Sequence, residues 1–264
     1  HIDGLYDPTQ YLSRLRQEAR GTYLVVEKVL DRDESLPDFW PVQGTTGYDF
    51  LNRVNELFCR REHEGRFGRI YARHGGTGQP FVDMVAEKKR LFIARHMTGD
   101  IDGLAHLIKS ISGRTRQGSD ITLYGLRRAM TEVMSYFPVY RTYLSGKTLR
   151  EEDLAAIRQA AAQAADRVPA LTYELSFLQD LLSLNLDGSL REEDRDRWVH
   201  VIMRFQQFTG PLMAKGFEDT TLYVYNRLIS LNEVGGNPQR FGVSGDEFHE
   251  YMGLRAARQP QSMN

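Results

Sequence analysis

The run TYLVVEKVL at residues 22–30 carries the strongest strand signal in this chain of 264 residues. It is largely apolar and rich in β-branched residues, and polar positions do not alternate with apolar ones. Runs of this kind are typical of a strand that is buried on both faces, as in a parallel sheet or a barrel. We therefore predict one buried strand here, since no other stretch predicts a strand as clearly.

A single carboxylate, Glu27, interrupts this apolar run. Burying a carboxylate in a β-core without a partner is costly. At the carboxyl end of a barrel strand, Glu27 would instead face the mouth of an active site, where it could act as a general acid. The alternative is a glutamate at the end or edge of a strand that simply reaches water, and the strand taken alone favours this alternative.

Most of the remaining sequence has the apolar spacing of amphipathic helices. Asp7 and Pro8 form a good helix start, with an acid at the N-cap and proline at the first helical position. Gly99 and Gly103 are expected to break or kink a long helical stretch. Residues 31–47 are predicted to form a loop. The predicted helices cover residues 8–21, 48–58, 81–112, 122–137, 149–167, 171–184 and 191–209, with a turn at 186–189.

Composition excludes several classes of protein. The length suits one large or two small domains, and the formal net charge of −1 favours neither a nucleic-acid nor a membrane partner. Cys59 is the single cysteine, so no intrachain disulfide can form, which weakly favours a reducing compartment. We find no membrane-spanning apolar run and no signal peptide, and we expect a cytoplasmic location. The histidines show no metal-ligand spacing, so no metal site is predicted.

A second informative stretch lies at residues 213–236, MAKGFEDTTLYVYNRLISLNEVGG. It concentrates charged side chains and two tyrosines before a pair of glycines, a composition that favours contact with a polar ligand. Two structural interpretations remain open. Tyr223 and Tyr225 could pack on a neighbouring helix, and Lys215 could pair with Glu218 or Asp219 on one helical turn.

These stretches resemble the maltooligosyltrehalose synthases, a branch of the α-amylase superfamily. The match includes residues 22–30, ESLP at 34–37, GTTGYDFLN at 44–52, FPVYRTY at 137–143 and the stretch 213–236, and the resemblance covers essentially the whole chain. In that family the glutamate matching Glu27 is the general acid/base on the fifth barrel strand. The segment HIDGLYDP, residues 1–8, is similar to the one that follows the fourth strand.

The resemblance implies an internal fragment of a catalytic region. The family's nucleophilic aspartate would lie just before His1 and its third carboxylate just beyond Asn264, so we expect the chain alone to be inactive. The implied fold is mainly α, a helical insertion domain with a small piece of a (β/α)8 barrel. The implied domains are a barrel fragment at 1–58, the insertion at 59–210 and a return segment at 211–264. A lone strand is expected to be partly unpaired or paired with a second chain.

The implied activity is intramolecular transglycosylation on a maltooligosaccharide substrate, without a metal or organic cofactor. A retaining mechanism uses two carboxyl groups about 5–5.5 Å apart. Glu27 would protonate the last α-1,4 oxygen, and the freed glucose would turn over and form an α,α-1,1 link. Residues that would hold the glucose and exclude water are His1, Tyr140, Tyr143, Lys215, Glu218, Asp219, Tyr223 and Tyr225.

Two other functions remain open on the sequence alone. The chain could be a helical carbohydrate-binding or protein-interaction domain without chemistry of its own. It could also belong to a related glucan hydrolase or glucanotransferase, which should lack the full 213–236 stretch.

Overall fold

The computed structural model describes residues 1–32, 34–76, 78–113, 116–146, 149–185 and 192–258. The chain divides into two compact units. Residues 1–81 and 221–264 form one, called here the strand unit, and residues 82–220 form the other, called the helical unit. Helices dominate both, which confirms the mainly α prediction. Among the described helices, none is long and apolar enough to cross a bilayer. The turn predicted at 186–189 lies outside the described residues, and the three domain boundaries remain predictions.

The elements follow one another along the chain with short connections. The first part contains α1 Pro8–Glu18, β1 Val25–Val26, β2 Gly44–Thr45, α2 Tyr48–Leu57 and α3 Glu64–His74. The middle contains α4 Phe81–His96, α5 Thr98–Ser112, α6 Arg116–Ser119, α7 Leu123–Ser135, α8 Glu151–Arg167, α9 Thr172–Leu182 and α10 Glu192–Leu212. The last part contains a π-helix Met213–Thr221, α11 Leu222–Val224 and α12 Gly245–Arg258, and 3-10 turns lie at Arg61–His63, Pro169–Leu171 and Ile229–Leu231.

The predicted strand lies within residues 22–30, as expected, but it is shorter than predicted. The ladder is confined to β1, which pairs in parallel with β2 within the same chain, Val25 opposite Gly44 and Val26 opposite Thr45. Among the described residues β1 thus has a strand partner on one edge only, which agrees with the expectation of a partly unpaired strand, and pairing with a second chain remains a prediction. Residues 31–47, predicted as a loop, contain β2. Its two residues have no strand signal of their own, and the pairing is supported by Gln43 N–H, which donates to Leu24 O at 2.8 Å.

The predicted helices are present with shifted ends. The break between α4 and α5 falls at Met97 rather than at Gly99 and Gly103, both of which lie inside α5. Thr98 Oγ1 donates to Ala94 O at 3.0 Å and so satisfies a carbonyl at the end of α4. Since the capping is done by Thr98, the two glycines are not needed to end the helix.

The core of the helical unit lies between amphipathic helices. On α7 the buried residues recur at helical spacing: Leu126, Ala129, Met130, Val133 and Met134. This face packs on α5, α8 and α9, and α5 also packs on α10. Trp198 of α10 is fully buried, with its ring 6.4 Å from that of Phe177.

The π-helix follows directly on α10, which contains Pro211. Proline removes a backbone donor and crowds the preceding turn, so the α-helical hydrogen-bond ladder cannot continue unchanged through it. A wider π-helix two residues later is consistent with that disturbance. π-Helical segments are rare and often coincide with functional sites. Three of the predicted binding residues, Lys215, Glu218 and Asp219, lie in this one.

Candidate functional site

Glu27 lies one residue beyond the carboxyl end of β1, with 34% of its side chain exposed. The Tyr48 hydroxyl donates a hydrogen bond to Glu27 Oε1 at 3.2 Å. His1 Nδ1 lies 3.4 Å from Glu27 Oε2, and Ile2 N–H donates to Glu27 O at 3.4 Å. The carboxyl group is thus oriented by a phenol on one side while it still reaches solvent. Proton transfer to a bound ligand needs both properties.

Tyr48 reaches Glu27 because of the local fold. Gly47, at φ 94°, turns the chain from β2 into α2, whose first residue is Tyr48. Glycine adopts this left-handed conformation at little cost. Since β1 and β2 run parallel, the residues that follow them meet at the same edge, where open α/β sheets bind their ligands. Sequence reasoning did not name Tyr48, although the glycine and tyrosine directly after the short β2 were visible.

Lys28, next to Glu27, fixes the end of this strand. Its side chain is fully buried, and Nζ lies 2.9 Å from Glu34 Oε1 and 3.5 Å from Asp3 Oδ2. Burial disfavours the charged amine, but the attraction of Asp3 and Glu34 is greater, so the pKa of Lys28 is raised. The amine therefore joins the segment before α1 and the segment before β2 to β1, and it helps hold Glu27 in place.

Replacing Lys28 by methionine should destabilise the chain by about 3 kcal/mol, because removing one partner leaves buried carboxylates without their cation. Urea unfolding at pH 7 measures the change. Arg20→Met, which removes an exposed cation of the same unit, is the matched control. A loss below about 1 kcal/mol for Lys28→Met, the range of an exposed pair, would contradict this role.

The two tyrosines of the 213–236 stretch have different environments. Tyr223 is 77% exposed, whereas Tyr225 is buried. The Tyr225 ring centroid lies 4.6 Å from that of Phe81 and 5.1 Å from that of Tyr71, both edge-on, and burial raises the pKa of Tyr225. The packing interpretation therefore fits Tyr225 and does not fit Tyr223, which is free to contact a ligand.

The charged residues of the π-helix also differ in their exposure to solvent. Lys215 and Asp219 form an exposed ion pair one turn apart, and the hydrogen bond to Asp219 raises the pKa of Lys215. Glu218 is buried. The structure therefore fits the ion-pair interpretation of Lys215, with Asp219 as the partner. A role of Lys215 in ligand binding stays a prediction.

Tyr140 and Tyr143 belong to the segment that connects α7 to α8. Tyr143 is buried beneath Arg141, whose Cζ lies 5.7 Å from the ring centroid, while Tyr140 is half-buried. Gln206 of α10 anchors the segment. Its Oε1 accepts from Leu144 N–H at 2.8 Å and its Nε2 donates to Leu144 O at 3.1 Å. A side-chain amide that replaces a strand partner in this way fixes the position of Tyr143.

Lys89 of α4 supports two of the predicted binding segments. Its side chain is fully buried, and Nζ donates to Phe137 O at 2.9 Å. Gly216 of the π-helix packs against it so closely that an added Cβ would lie 2.9 Å from Lys89 Cγ. In the part of the chain that the structure describes, Lys89 forms no ion pair within 4.0 Å, and burial lowers its pKa to about 7. Sequence reasoning missed this lysine, because its burial depends on packing between distant segments.

The predicted residues fall in both units. His1, Glu27, Tyr223 and Tyr225 belong to the strand unit, and His1 and Glu27 are in contact there. The helical unit contains Tyr140, Tyr143, Lys215, Glu218 and Asp219. Across the described residues, no group of three or more histidine, cysteine, aspartate or glutamate side chains could hold a metal ion.

Comparisons with known proteins extend over the whole chain. A Mycobacterium tuberculosis H37Rv protein, provisionally named maltooligosyl trehalose synthase, is 30% identical over 264 residues, which are 100% of this chain and 31% of the relative. The maltooligosyltrehalose synthase of Arthrobacter ramosus superposes with a TM-score of 0.80 at 31% identity, covering 98% of this chain and 31% of that one. No family model matches.

A third protein is also similar over almost the whole length of this chain. The DSM5389 glycosyltrehalose synthase superposes with a TM-score of 0.71 at 32% identity, over 97% of this chain and 29% of its own. The chain thus spans about a third of the length of the proteins that it matches. Sequence and fold lead to the same conclusion: along its whole length the chain is similar to maltooligosyltrehalose synthases.

Proposed function

We propose that this chain is part of a glucan isomerase of trehalose biosynthesis. The enzyme would convert the terminal α-1,4 link at the reducing end of a maltooligosaccharide to an α,α-1,1 link. The main support is that similarity to synthases extends over the whole chain. Within this chain, Glu27 lies at the end of a parallel strand beside Tyr48. We further propose that the strand unit contributes to a (β/α)8 barrel and that the enzyme acts in the cytoplasm.

The proposed mechanism is a double displacement with retention. Glu27 donates its proton to the last α-1,4 glycosidic oxygen while a carboxylate from outside these residues attacks the anomeric carbon. The freed glucose then turns over, and Glu27 as base removes the proton of its anomeric hydroxyl. The hydroxyl oxygen attacks the anomeric carbon of the bound glycosyl unit, forms the α,α-1,1 link and displaces the carboxylate. Tyr48, which donates to Glu27 Oε1, leaves the other oxygen, near His1, for the substrate. Orientation of one oxygen in this way favours proton transfer along a single direction.

The remaining predicted residues are proposed to hold glucose during its rotation and to keep water out. The exposed groups, Lys215, Asp219 and Tyr223, are proposed to contact the sugar directly. The buried ones, Glu218, Tyr143 and Tyr225, are proposed to act indirectly, each by its packing within its own unit. Tyr140, half-buried, is proposed to contact the sugar with its exposed part.

The 264-residue chain on its own should not convert maltopentaose to its trehalose-terminated isomer, because the mechanism needs two carboxyl groups across the scissile bond and the resemblance places the second outside these residues. Joined to the regions that the Arthrobacter ramosus synthase has in addition, and called here the full-length protein, it should do so. Chromatography of the products tests both statements. Turnover by the purified chain alone would overturn the assignment of the nucleophile.

Replacing Lys215 by alanine in the full-length protein should lower the ratio of isomerised to hydrolysed product by about tenfold, the effect of losing one charged hydrogen bond to the sugar. The measurement is the amount of free glucose relative to non-reducing product from maltopentaose. Arg66→Ala, which removes an exposed cation elsewhere, serves as control. An unchanged ratio for Lys215→Ala would remove Lys215 from the site and leave it as the partner of Asp219.

The competing function, a helical binding or interaction domain without chemistry, predicts a different result. A full-length protein that binds maltopentaose but forms no product would favour it. The helical unit, which has its own core, would then be the binding module.

A further inference from the structure

The glycine pair that ends the 213–236 stretch packs against the segment that follows β1 and contains Glu27. Gly235 has a φ of 72°, in the left-handed region that favours glycine. A Cβ added to Gly235 would lie 2.5 Å from Val29 Cγ1 and 3.6 Å from Tyr48 Cβ. A residue without a side chain is therefore needed between the segment after β1 and the start of α2.

Asn52 of α2 joins this turn to the first turn of its own helix. Its Nδ2 donates to Val234 O and to Tyr48 O, both at 2.8 Å. A Cβ added to Gly236 would lie 2.9 Å from Asn52 Oδ1, so the turn and the amide are in close contact. One side chain thus holds together the backbone of Tyr48 and the backbone of the turn at residues 234–236.

The first turn of α2 needs such a contact. Its N-cap, Gly47, has no side chain, and no side-chain hydrogen bond caps this helix in the part of the chain that the structure describes. Helix ends have unsatisfied N–H groups and fray when nothing holds them. Asp49 holds the same turn independently, through the Tyr251 hydroxyl at 2.7 Å, so α2 should stay folded when Asn52 is changed.

We propose that Asn52 and Gly235 are positioning residues for the acid/base. Gly235 sets the distance between Tyr48 and the segment after β1, and Asn52 fixes that arrangement. The Tyr48 hydroxyl is thereby held where it donates to Glu27 Oε1 at 3.2 Å. Orientation of the group that transfers the proton contributes to the rate of transfer. This role rests on the proposed function, in which Glu27 is the acid/base.

Kinetics of the full-length protein on maltopentaose test this role. Asn52→Ala, and Asn52→Asp, which keeps the shape without the N–H donors, should each lower kcat by about tenfold, the effect of losing the hydrogen bond from Tyr48. KM should not change, because Asn52 is not proposed to touch the sugar. Gly235→Ala should act in the same way, since the added Cβ does not fit. The matched controls are Asn55→Ala on the same helix and Gly245→Ala, where an added Cβ meets no described atom within 4 Å.

A double variant distinguishes positioning from a general loss of structure. In a Tyr48→Phe background, Asn52→Ala should lower kcat by less than about twofold more, because the hydrogen bond that Asn52 positions is already gone. Residues that act separately would instead give effects that multiply. Urea unfolding and circular dichroism check that each variant folds.

Fluorine NMR gives a readout that does not depend on activity. Fluorotyrosine at position 48 of the 264-residue chain should change its signal when Glu27→Gln removes the charge beside its hydroxyl. In the Asn52→Ala and Asn52→Asp chains this response should be lost. If the full-length protein forms no isomer but the response depends on Asn52, the proposed function fails and the positioning role stands.

Three results would each overturn the positioning role. These are a normal kcat in both Asn52 variants, an equally large loss with and without the Tyr48 hydroxyl, or a fluorine response that persists in both Asn52 variants. When the unchanged protein forms the isomer, none of the three affects the proposed function. Asn52→Asp decides if Asn52→Ala does not fold.

Discussion

Replacing Glu27 by glutamine in the full-length protein is expected to lower the rate of isomerisation by about a thousandfold, within the range for loss of a general acid and base. Glutamine keeps the shape and still accepts the hydrogen bond from Tyr48, so folding should be preserved. It has no acidic proton to give to the glycosidic oxygen. The initial rate of non-reducing product formation from maltopentaose measures the effect.

Two further variants test how much the orientation of Glu27 matters and whether the effect is specific to Glu27. Tyr48→Phe removes the hydrogen bond to Glu27 Oε1 without removing the carboxyl group and should cost about tenfold. Glu62→Gln changes an exposed glutamate of the same unit and should have no effect. A Glu27→Gln enzyme that retained more than a tenth of the normal rate would show that Glu27 is not the acid/base.

The second large effect concerns stability and the buried Lys89. With a pKa of about 7 in the folded chain and 10.5 as its ordinary value, Lys89 binds its proton more weakly in the folded state. Below pH 7 both states carry the proton, and the cost of burying the charge is present in full. Between pH 7 and 10.5 the unfolded chain binds more protons than the folded chain. The free energy of unfolding therefore rises by about 1.4 kcal/mol for each pH unit.

Urea unfolding of the unchanged chain and of Lys89→Met tests this between pH 7.5 and 9.5. The stability of the unchanged chain relative to the variant should rise by about 3 kcal/mol over these two units. Comparing the two proteins cancels the titration of other groups. Lys88→Met, which changes the partly exposed neighbour that pairs with Glu87, should not show this rise. A pH-independent difference between Lys89→Met and the unchanged chain would mean that Lys89 stays protonated throughout.

The helices could be predicted from the sequence because their information is local. Asp7 accepts from Gln10 N–H at 2.8 Å, as an N-cap followed by proline predicts. One local signal was overlooked. Ser244 and Glu247 form a reciprocal capping box at the start of α12, and the pKa of Glu247 is lowered to about 2, chiefly by the backbone N–H of Ser244. The pairing of β1 with β2 could not be predicted, because two residues carry too little periodicity.

The residues of the candidate site also differ in whether the sequence alone could predict them. Glu27 could be found because a carboxylate inside an apolar run is conspicuous and because its surroundings match a family motif. The contacts that Tyr48 makes with Glu27 and Lys89 with Phe137 could not be predicted, since they join segments far apart in sequence. The polar composition of residues 213–236 did not reveal that Tyr225 is packed between rings while Tyr223 is exposed.

The central claim, that this chain carries the acid/base of a trehalose-forming isomerase, is tested most directly by the products of the full-length protein and its Glu27→Gln variant from maltopentaose. The predicted result for the unchanged protein is loss of reducing ends at constant sugar content, with trehalose released when glucoamylase trims the product. The predicted result for the variant is almost no product. A gain of reducing ends with free glucose, or equal product from both proteins, would contradict the claim.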